Sequence, residues 1–328
     1  MIVLQSVNDY KRFYCKSNDA DRRLDRVIKK MLPELPAGMI YSSLRKGRIR
    51  VNGHKAKQSY RTAENDVIEV DESIFFTNTP GADQKQISAK DAEVIRNITV
   101  LRTENLLLLN KPAGMLTHGD DSLAQLLTGG LSDIEESLSF TPAPLHRLDR
   151  NTSGLIAAGL TLRGAARFSE LMRERKIKKY YLGLCKGRPN SELVLQDQLI
   201  RRNKKSYKAE NMDINAPAAV TRVFPLYGNG RFTLCLFRID TGQTHQIRSQ
   251  LSAAGYPLAG DTKYGGSITG FGSYILHSFT MRLPDDDKIC GFQSERADLP
   301  ASARNKLDMI FSEQKTTSIL TGLNTEEF

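Results

Sequence analysis

With 328 residues, 40% of them hydrophobic, the chain is longer than a typical single domain, so a larger domain joined to a smaller module is expected. Its formal charge of +10 points to an anionic partner. No apolar run approaches the roughly 18 residues of a membrane span, and charges near the N-terminus come too early for a signal peptide, so a cytoplasmic protein without membrane contact is expected.

Residues 1–18 alternate only weakly, enough for one strand. Residues 19–62 concentrate the charge, with twelve Lys and Arg against four acids. Here Leu24, Val27, Ile28, Met31 and Leu32 recur at helical spacing on one face, with Arg22, Arg23, Arg26, Lys29 and Lys30 on the others. Pro33 ends that helix, and residues 36–44 read as a second. Ile49 and Val51 alternate with Arg48 and Arg50 ahead of Asn52-Gly53, a strong hairpin signal because both residues tolerate the positive φ of a type I′ turn. Val67, Ile68 and Val70 supply a closing strand. Lys46, Arg48, Arg50, Lys55 and Lys57 around the turn make a surface suited to a phosphate backbone.

Residues 73–92 mix Pro, Gly, Asn and Ser with charge and read as a linker. Residues 94–101 read as a strand and residues 106–109 as a short buried one, followed by a turn-rich loop at 110–115 and by His118-Gly119. Residues 146–154 read HRLDRNTSG. There Asp149 stands between Arg147 and Arg150, and neighbouring guanidiniums hold a carboxylate in its charged form. Thr152 and Ser153 lead into Leu155, Ile156, Ala157 and Ala158, so Asp149 is expected on a loop that feeds a buried strand, a rigid mount for a reactive group.

Residues 162–174 have helical spacing, and a basic stretch then enters a strand with Tyr180 and Tyr181, whose side chains must point to opposite faces. Residues 200–208 form a second basic patch. Residues 220–224 and 232–240 pair as antiparallel strands about a turn at 227–231. In residues 241–255, Thr241 or Thr244 caps a helix that Gly255 closes, and His245 and Arg248 lie one turn apart on a common side. Residues 285–328 hold nine acids and five bases and are not expected on a nucleic-acid face. Cys15, Cys185, Cys235 and Cys290 form no close pair, which argues against a zinc knuckle, a redox pair or a disulfide framework. The histidines are equally dispersed, so no metal is expected, and no phosphate-binding glycine motif implies a cofactor.

His-Arg-Leu-Asp followed by Thr-Ser-Gly-Leu resembles the catalytic motif of the RluA family of RNA pseudouridine synthases. The resemblance implies that Asp149 is the catalytic aspartate and that Arg147 fills the space left when the target uridine leaves its stack. RLDRVIKKMLP, LRKGRIRVNGHKAK and ENDVIEV resemble the RNA-binding module named after small-subunit ribosomal protein S-four. The Asn110-Lys111-Pro112 loop is similar to one beside the family's active site, which adds Lys111, Pro112 and His118 as candidates. IKKYYLGLCKG is similar to the segment whose tyrosine stacks on the target base and implies that role for Tyr181. GQTHQIR is similar to the motif whose last arginine pairs with the aspartate and implies Arg248, although Gln243 stands where an arginine is common. GYPLAGDTKYGG implies that Gly260, Asp261 and Tyr264 shape the adjoining loop.

The expected fold is α+β: a small α/β RNA-binding domain at 19–72, a linker at 73–92, a catalytic domain at 93–290 with a large, mainly antiparallel mixed sheet, and a C-terminal extension at 291–328. The expected activity is isomerisation of uridine in RNA, with large-subunit ribosomal RNA as partner, no cofactor and a monomeric enzyme. A non-catalytic RNA-binding or ribosome-assembly protein, an N-glycosylase and a synthase directed at transfer RNA stay open at this point.

Overall fold

The computed structural model describes residues 10–75, 88–132, 134, 136–189, 191–202, 205–208, 218–285 and 287–328. The N-terminal module comprises β1 (Tyr10–Tyr14), α1 (Leu24–Met31), α2 (Ala37–Lys46), β2 (Ile49–Val51), β3 (His54–Lys55) and β4 (Val67–Asp71). Its strands form an antiparallel sheet in the order β1-β4-β2-β3. The apolar stripe of α1 is the face it buries: Leu24, Val27 and Ile28 pack on Ile40 and Leu44 of α2 and on Ile49, Val51, Ile68 and Val70 of the sheet. Asn52 and Gly53 both have positive φ, 51° and 78°, as a type I′ turn requires. The Asn52 side chain also accepts from Val67 N and donates to Asp66, which ties the hairpin to β4.

The larger domain opens with α3 (Ala89–Ile98), β5 (Thr99–Arg102), β6 (Leu106–Lys111), α4 (Leu123–Gly130), β7 (Ala143–Pro144), β8 (Ser153–Gly159) and α5 (Leu162–Arg173). It continues with β9 (Lys178–Lys186), β10 (Leu193–Asp197), β11 (Leu199–Arg202), β12 (Lys205–Lys208), β13 (Ala219–Gly228), β14 (Phe232–Ile239) and α6 (Gln246–Ala253). It ends with β15 (Leu276–Arg282), β16 (Ser294–Arg296), α7 (Ala301–Phe311) and α8 (Glu313–Gly322). The main sheet runs β10-β13-β14-β9-β15-β8-β6-β5, with β16 beside β15 and β7 beside β8. Its pairs are antiparallel except β8 with β15, which are parallel. β11 and β12 form a separate hairpin. This is the α+β architecture read from the sequence.

Both faces of the sheet are covered, which is why its strands read as unbroken apolar runs. Leu106, Leu108, Leu155 and Ala157 pack against Phe168 and Leu171 of α5. The alternate residues Leu107, Leu109, Ile156 and Ala158 face the opposite core, with Leu148, Tyr181 and Ile247.

One segment differs from the sequence reading. Residues 94–98 are helical, not extended: the Ser88 hydroxyl accepts from Asp91 N at the start of α3, which buries Ile95, and the strand begins only at Thr99. The expected linker is therefore helical at its end, while residues 76–87 lie outside the described residues. At the other terminus, α7 and α8 set Leu307, Phe311 and Leu320 against Leu182, Leu184, Leu234 and Leu236 on the back of the sheet. Burying such side chains contributes about 1.5–3 kcal/mol each, so this segment completes the sheet's packing.

Candidate active site

The Asp149 loop is held at both ends. Downstream it enters β8 through Gly154, at φ 106°, where a Cβ would stand 2.2 Å from the Ser278 carbonyl oxygen, so only glycine lets β8 and β15 approach this closely. Upstream, Leu148 exchanges bonds with the Thr117 hydroxyl at 3.0 and 3.2 Å. Thr152 N donates to the Asp149 carbonyl at 3.0 Å.

Lys111, the candidate on the loop beside the site, does not reach a surface at which RNA could meet it. It is fully buried, and its Nζ donates to the carbonyls of Pro112, Met115 and Arg150 at 3.0, 2.9 and 3.2 Å. Burial pulls its pKa down to about 8, against the attraction of nearby Asp149. It clamps the 110–115 loop to the Asp149 loop from below.

The cation that meets Asp149 is Arg248, not the flanking Arg147 or Arg150. Arg248 Nη1 donates to Asp149 Oδ2 at 2.8 Å, while its Nε and Nη2 fork onto Asp261 at 2.7 and 3.0 Å. Arg150 turns away to donate to the Gly114 carbonyl. The Arg248 guanidinium lies 4.4 Å from the Tyr274 ring centroid and 5.1 Å from that of Tyr264, and its side chain is 7% exposed. Burial works against its charge, but the bonds to Asp261 and Asp149 hold its pKa well above the usual range.

Neither Thr241 nor Thr244 caps α6. His245 occupies that position at φ 56° and makes no side-chain cap bond, while the Thr241 hydroxyl is engaged by Gln246 and Val220. The left-handed turn brings His245 Nε2 to 3.8 Å from Asp149 Oδ1. Its Nδ1 bonds the Tyr264 hydroxyl at 2.8 Å, and that oxygen also accepts from Ser206 N in β12. Burial lowers the His245 pKa.

Tyr181 and Tyr180 diverge as expected. Tyr180 joins the core under the C-terminal helices, and Tyr181 lines the pocket with Arg147, Asp149, Gln243, His245 and Arg248. Burial pushes the Tyr181 phenol up to about 12, so it stays protonated at neutral pH. Arg147 is exposed at the rim, and His118 is exposed on its loop. His146 accepts from Ala157 N and stacks on Phe168, its pKa drawn down to about 3 by burial.

In the module, Lys46 and Lys55 are exposed, but Arg48 and Arg50 are tied down. Arg48 bonds Ser73 and approaches Asp71; Arg50 donates to the Gly47 carbonyl and covers the Tyr10 ring. The larger concentration of cations is a cleft of about 580 Å³ lined by Arg22, Arg23, Arg26, Lys29, Lys30 and Tyr41. Helical periodicity sets the five basic residues opposite the apolar face of α1, while Tyr41 comes from α2. Residues 203 and 204 of the second basic patch lie outside the described residues.

Sequence reasoning missed Asp261 as the second partner of Arg248, together with Tyr274 and the contact from His245 to Asp149. Among the described residues, no group of His, Cys, Asp or Glu could hold a metal ion, and no helix is long and apolar enough to cross a membrane.

A family model described as RNA pseudouridylate synthase matches residues 105–253, and one described as the S4 domain matches residues 22–68. The chain is 30% identical over 272 residues to the ribosomal large subunit pseudouridine synthase C of Vibrio vulnificus (strain CMCP6), covering 80% of this chain and 85% of that protein. It is 29% identical over 291 residues to the protein of that name from Yersinia pestis, covering 81% and 85%. In fold it is similar to human RNA pseudouridylate synthase domain containing 4, with a TM-score of 0.57 at 21% identity over 67% of this chain and 97% of that one.

Proposed function

The chain belongs to the RNA pseudouridylate synthase family and is an RNA pseudouridine synthase, an isomerase; from that premise we propose that it converts a uridine of large-subunit ribosomal RNA, with Asp149 as the catalytic carboxylate. The observation that carries this reading is the sharing of one guanidinium by two carboxylates. Asp261 takes two of the Arg248 donors and Asp149 takes one, so the trio keeps a net negative charge. Asp149 is thus oriented without being neutralised, which suits a nucleophile or a stabiliser of developing positive charge.

The reaction breaks the bond between ring nitrogen 1 and the anomeric carbon, turns the base, joins ring carbon 5 to the same sugar carbon, releases the proton of carbon 5 and adds a proton to ring nitrogen 1. One proton leaves and one arrives, and every other atom stays within one nucleoside. The base must leave its stack at a cost of a few kcal/mol. Tyr181 on the pocket wall supplies a ring for it, and Arg147 at the rim fills the gap. The module at 19–72 contacts phosphates through its α1 cations. The activity for which its relatives are named favours large-subunit ribosomal RNA, and specific readout favours a loop or bulge. The enzyme then acts in the cytoplasm.

A pseudouridine map of total RNA from cells with and without the protein tests this. The expected result is loss of one or a few sites in large-subunit ribosomal RNA. Losses confined to transfer RNA would reject the substrate, and no loss would reject the activity in cells.

A further inference from the structure

Between the module and the larger domain lies a fully buried carboxylate, Asp19. Its Oδ1 accepts from Ser137 Oγ at 2.7 Å, Ser139 N at 2.9 Å and Ser139 Oγ at 2.6 Å. Its Oδ2 accepts from Leu138 N at 3.1 Å and from Lys16 N at 3.0 Å. Four of these five donors therefore come from residues 137–139, more than a hundred positions away in sequence. Burial works against its charge, but the hydroxyl and amide donors hold the carboxyl below its ordinary range.

Neighbouring residues make the same crossing. Asn18 Oδ1 accepts from Leu162 N at the first turn of α5 at 2.9 Å, and Leu138 packs against the apolar core of the module. Arg22, which lines the basic cleft, donates Nη1 to the Ser139 carbonyl at 2.9 Å.

Domains within one chain move relative to each other unless their interface resists it. A sliding motion here would strand a buried charge and its donors, which is costly because neither finds water. The joint therefore behaves as a clasp. Through Arg22 it is continuous with the cleft.

We infer that Asp19 is a positioning residue for substrate selection: it fixes the separation between the basic cleft and the Asp149 pocket, so that only uridines at one distance from a bound RNA segment are presented for reaction. The inference rests on the reading that the module binds the same RNA that is modified. A rigid joint makes the second contact effectively intramolecular at one geometry, and a loosened joint spreads that advantage over many.

The test compares wild type with Asp19→Asn, which turns an amide donor toward amide donors, and with the Ser137→Ala/Ser139→Ala double variant, which relaxes the clasp from the other side. Hydrogen exchange at the Leu138 and Ser139 amides reports the joint itself. Kinetics are measured on full-length ribosomal RNA and on a short stem-loop carrying the same uridine. The expected result is faster exchange at both amides, KM for the long RNA raised about tenfold, kcat on the stem-loop within about twofold of wild type, and additional uridines modified. Unchanged exchange in both variants would overturn the clasp. Faster exchange with unchanged KM and site choice, or an equal loss of kcat on both RNAs, would overturn the selectivity role. A wild-type enzyme that leaves ribosomal RNA unmodified rejects the substrate reading instead, and the comparison then uses the RNA in which its modified sites are found.

Discussion

In the cleft between α1 and α2, Arg26 and Lys30 stand in solvent, whereas at the Asp149 pocket Arg248 is nearly sealed between two tyrosine rings and two carboxylates. Charges of the first kind act through a field that salt screens over about 8–10 Å. They suit a polyanion whose phosphates repeat and need no exact placement. Charges of the second kind are scarcely screened, and each is worth something only at one geometry. On the function proposed above, the same residue type, arginine, supplies affinity in one region and alignment in the other, so equal substitutions should have unequal effects.

The sharpest contrast comes from Asp149→Asn. It keeps shape and volume but removes the charge, and isomerisation should fall at least a hundredfold, within the range of about 10² to 10⁴ for a positioned catalytic group, with RNA affinity retained. Carbodiimide mapping of the treated RNA measures this. Activity above about a hundredth of wild type would remove Asp149 from the chemistry.

Asp261→Asn tests alignment without touching Asp149, the carboxylate proposed to react. Arg248 loses its charged fork and swings, and a shift of that order at a reactive group costs roughly ten- to a hundredfold in kcat. The variant should also lose roughly 1.5–3 kcal/mol of folding stability, the usual worth of hydrogen bonds to a charged group, since Asp261 is almost fully buried while Arg248 keeps Asp149 as its anion. Single-turnover kinetics and urea unfolding read the two effects. Wild-type kcat in a folded variant would show that Arg248 needs no second anchor.

The smallest effect belongs to the exposed region. Replacing Arg26 and Lys30 by Ala should leave kcat at saturating RNA unchanged and flatten the dependence of log affinity on log salt. Each lost phosphate contact is worth roughly 0.9 in that slope for a duplex or 0.7 for a single strand. Fluorescence titrations at several salt concentrations decide it, and an unchanged slope would mean that this face of α1 does not meet RNA.

The sequence announced what local periodicity can encode. The buried face of α1, the Asn52-Gly53 turn and the buried runs of β6 and β8 each follow from residues within a few positions of one another. Asp149 and Arg248 came from motif resemblance, and the structure brings them to 2.8 Å. What stayed hidden depends on partners distant in sequence or on backbone conformation. Three carbonyls from two loops bury Lys111, and no pattern around residue 111 foretells that. Asp261 meets Arg248 across a turn, His245 enters α6 in a left-handed conformation, and α7 and α8 find the back of the sheet only once it exists. The misread strand at 94–98 carried a usable signal in the Ser88 cap, which alternation among apolar residues outweighed.

The parallel pairing of β8 with β15 has a consequence for synthesis. Ser153 and His277, which bond across this seam, are 124 positions apart, so the strand entered by the Asp149 loop gains its central neighbour late in translation. Closing so long a loop carries an entropic cost that local turns do not, and topologies rich in such contacts fold slowly. The basic module, assembled from residues 10–75, emerges first, with the carboxylate still lacking both Arg248 and the strand that seats it. On the function proposed above, a nascent chain would hold RNA before it could alter it, because the Asp149 pocket is completed only when β15 is in place.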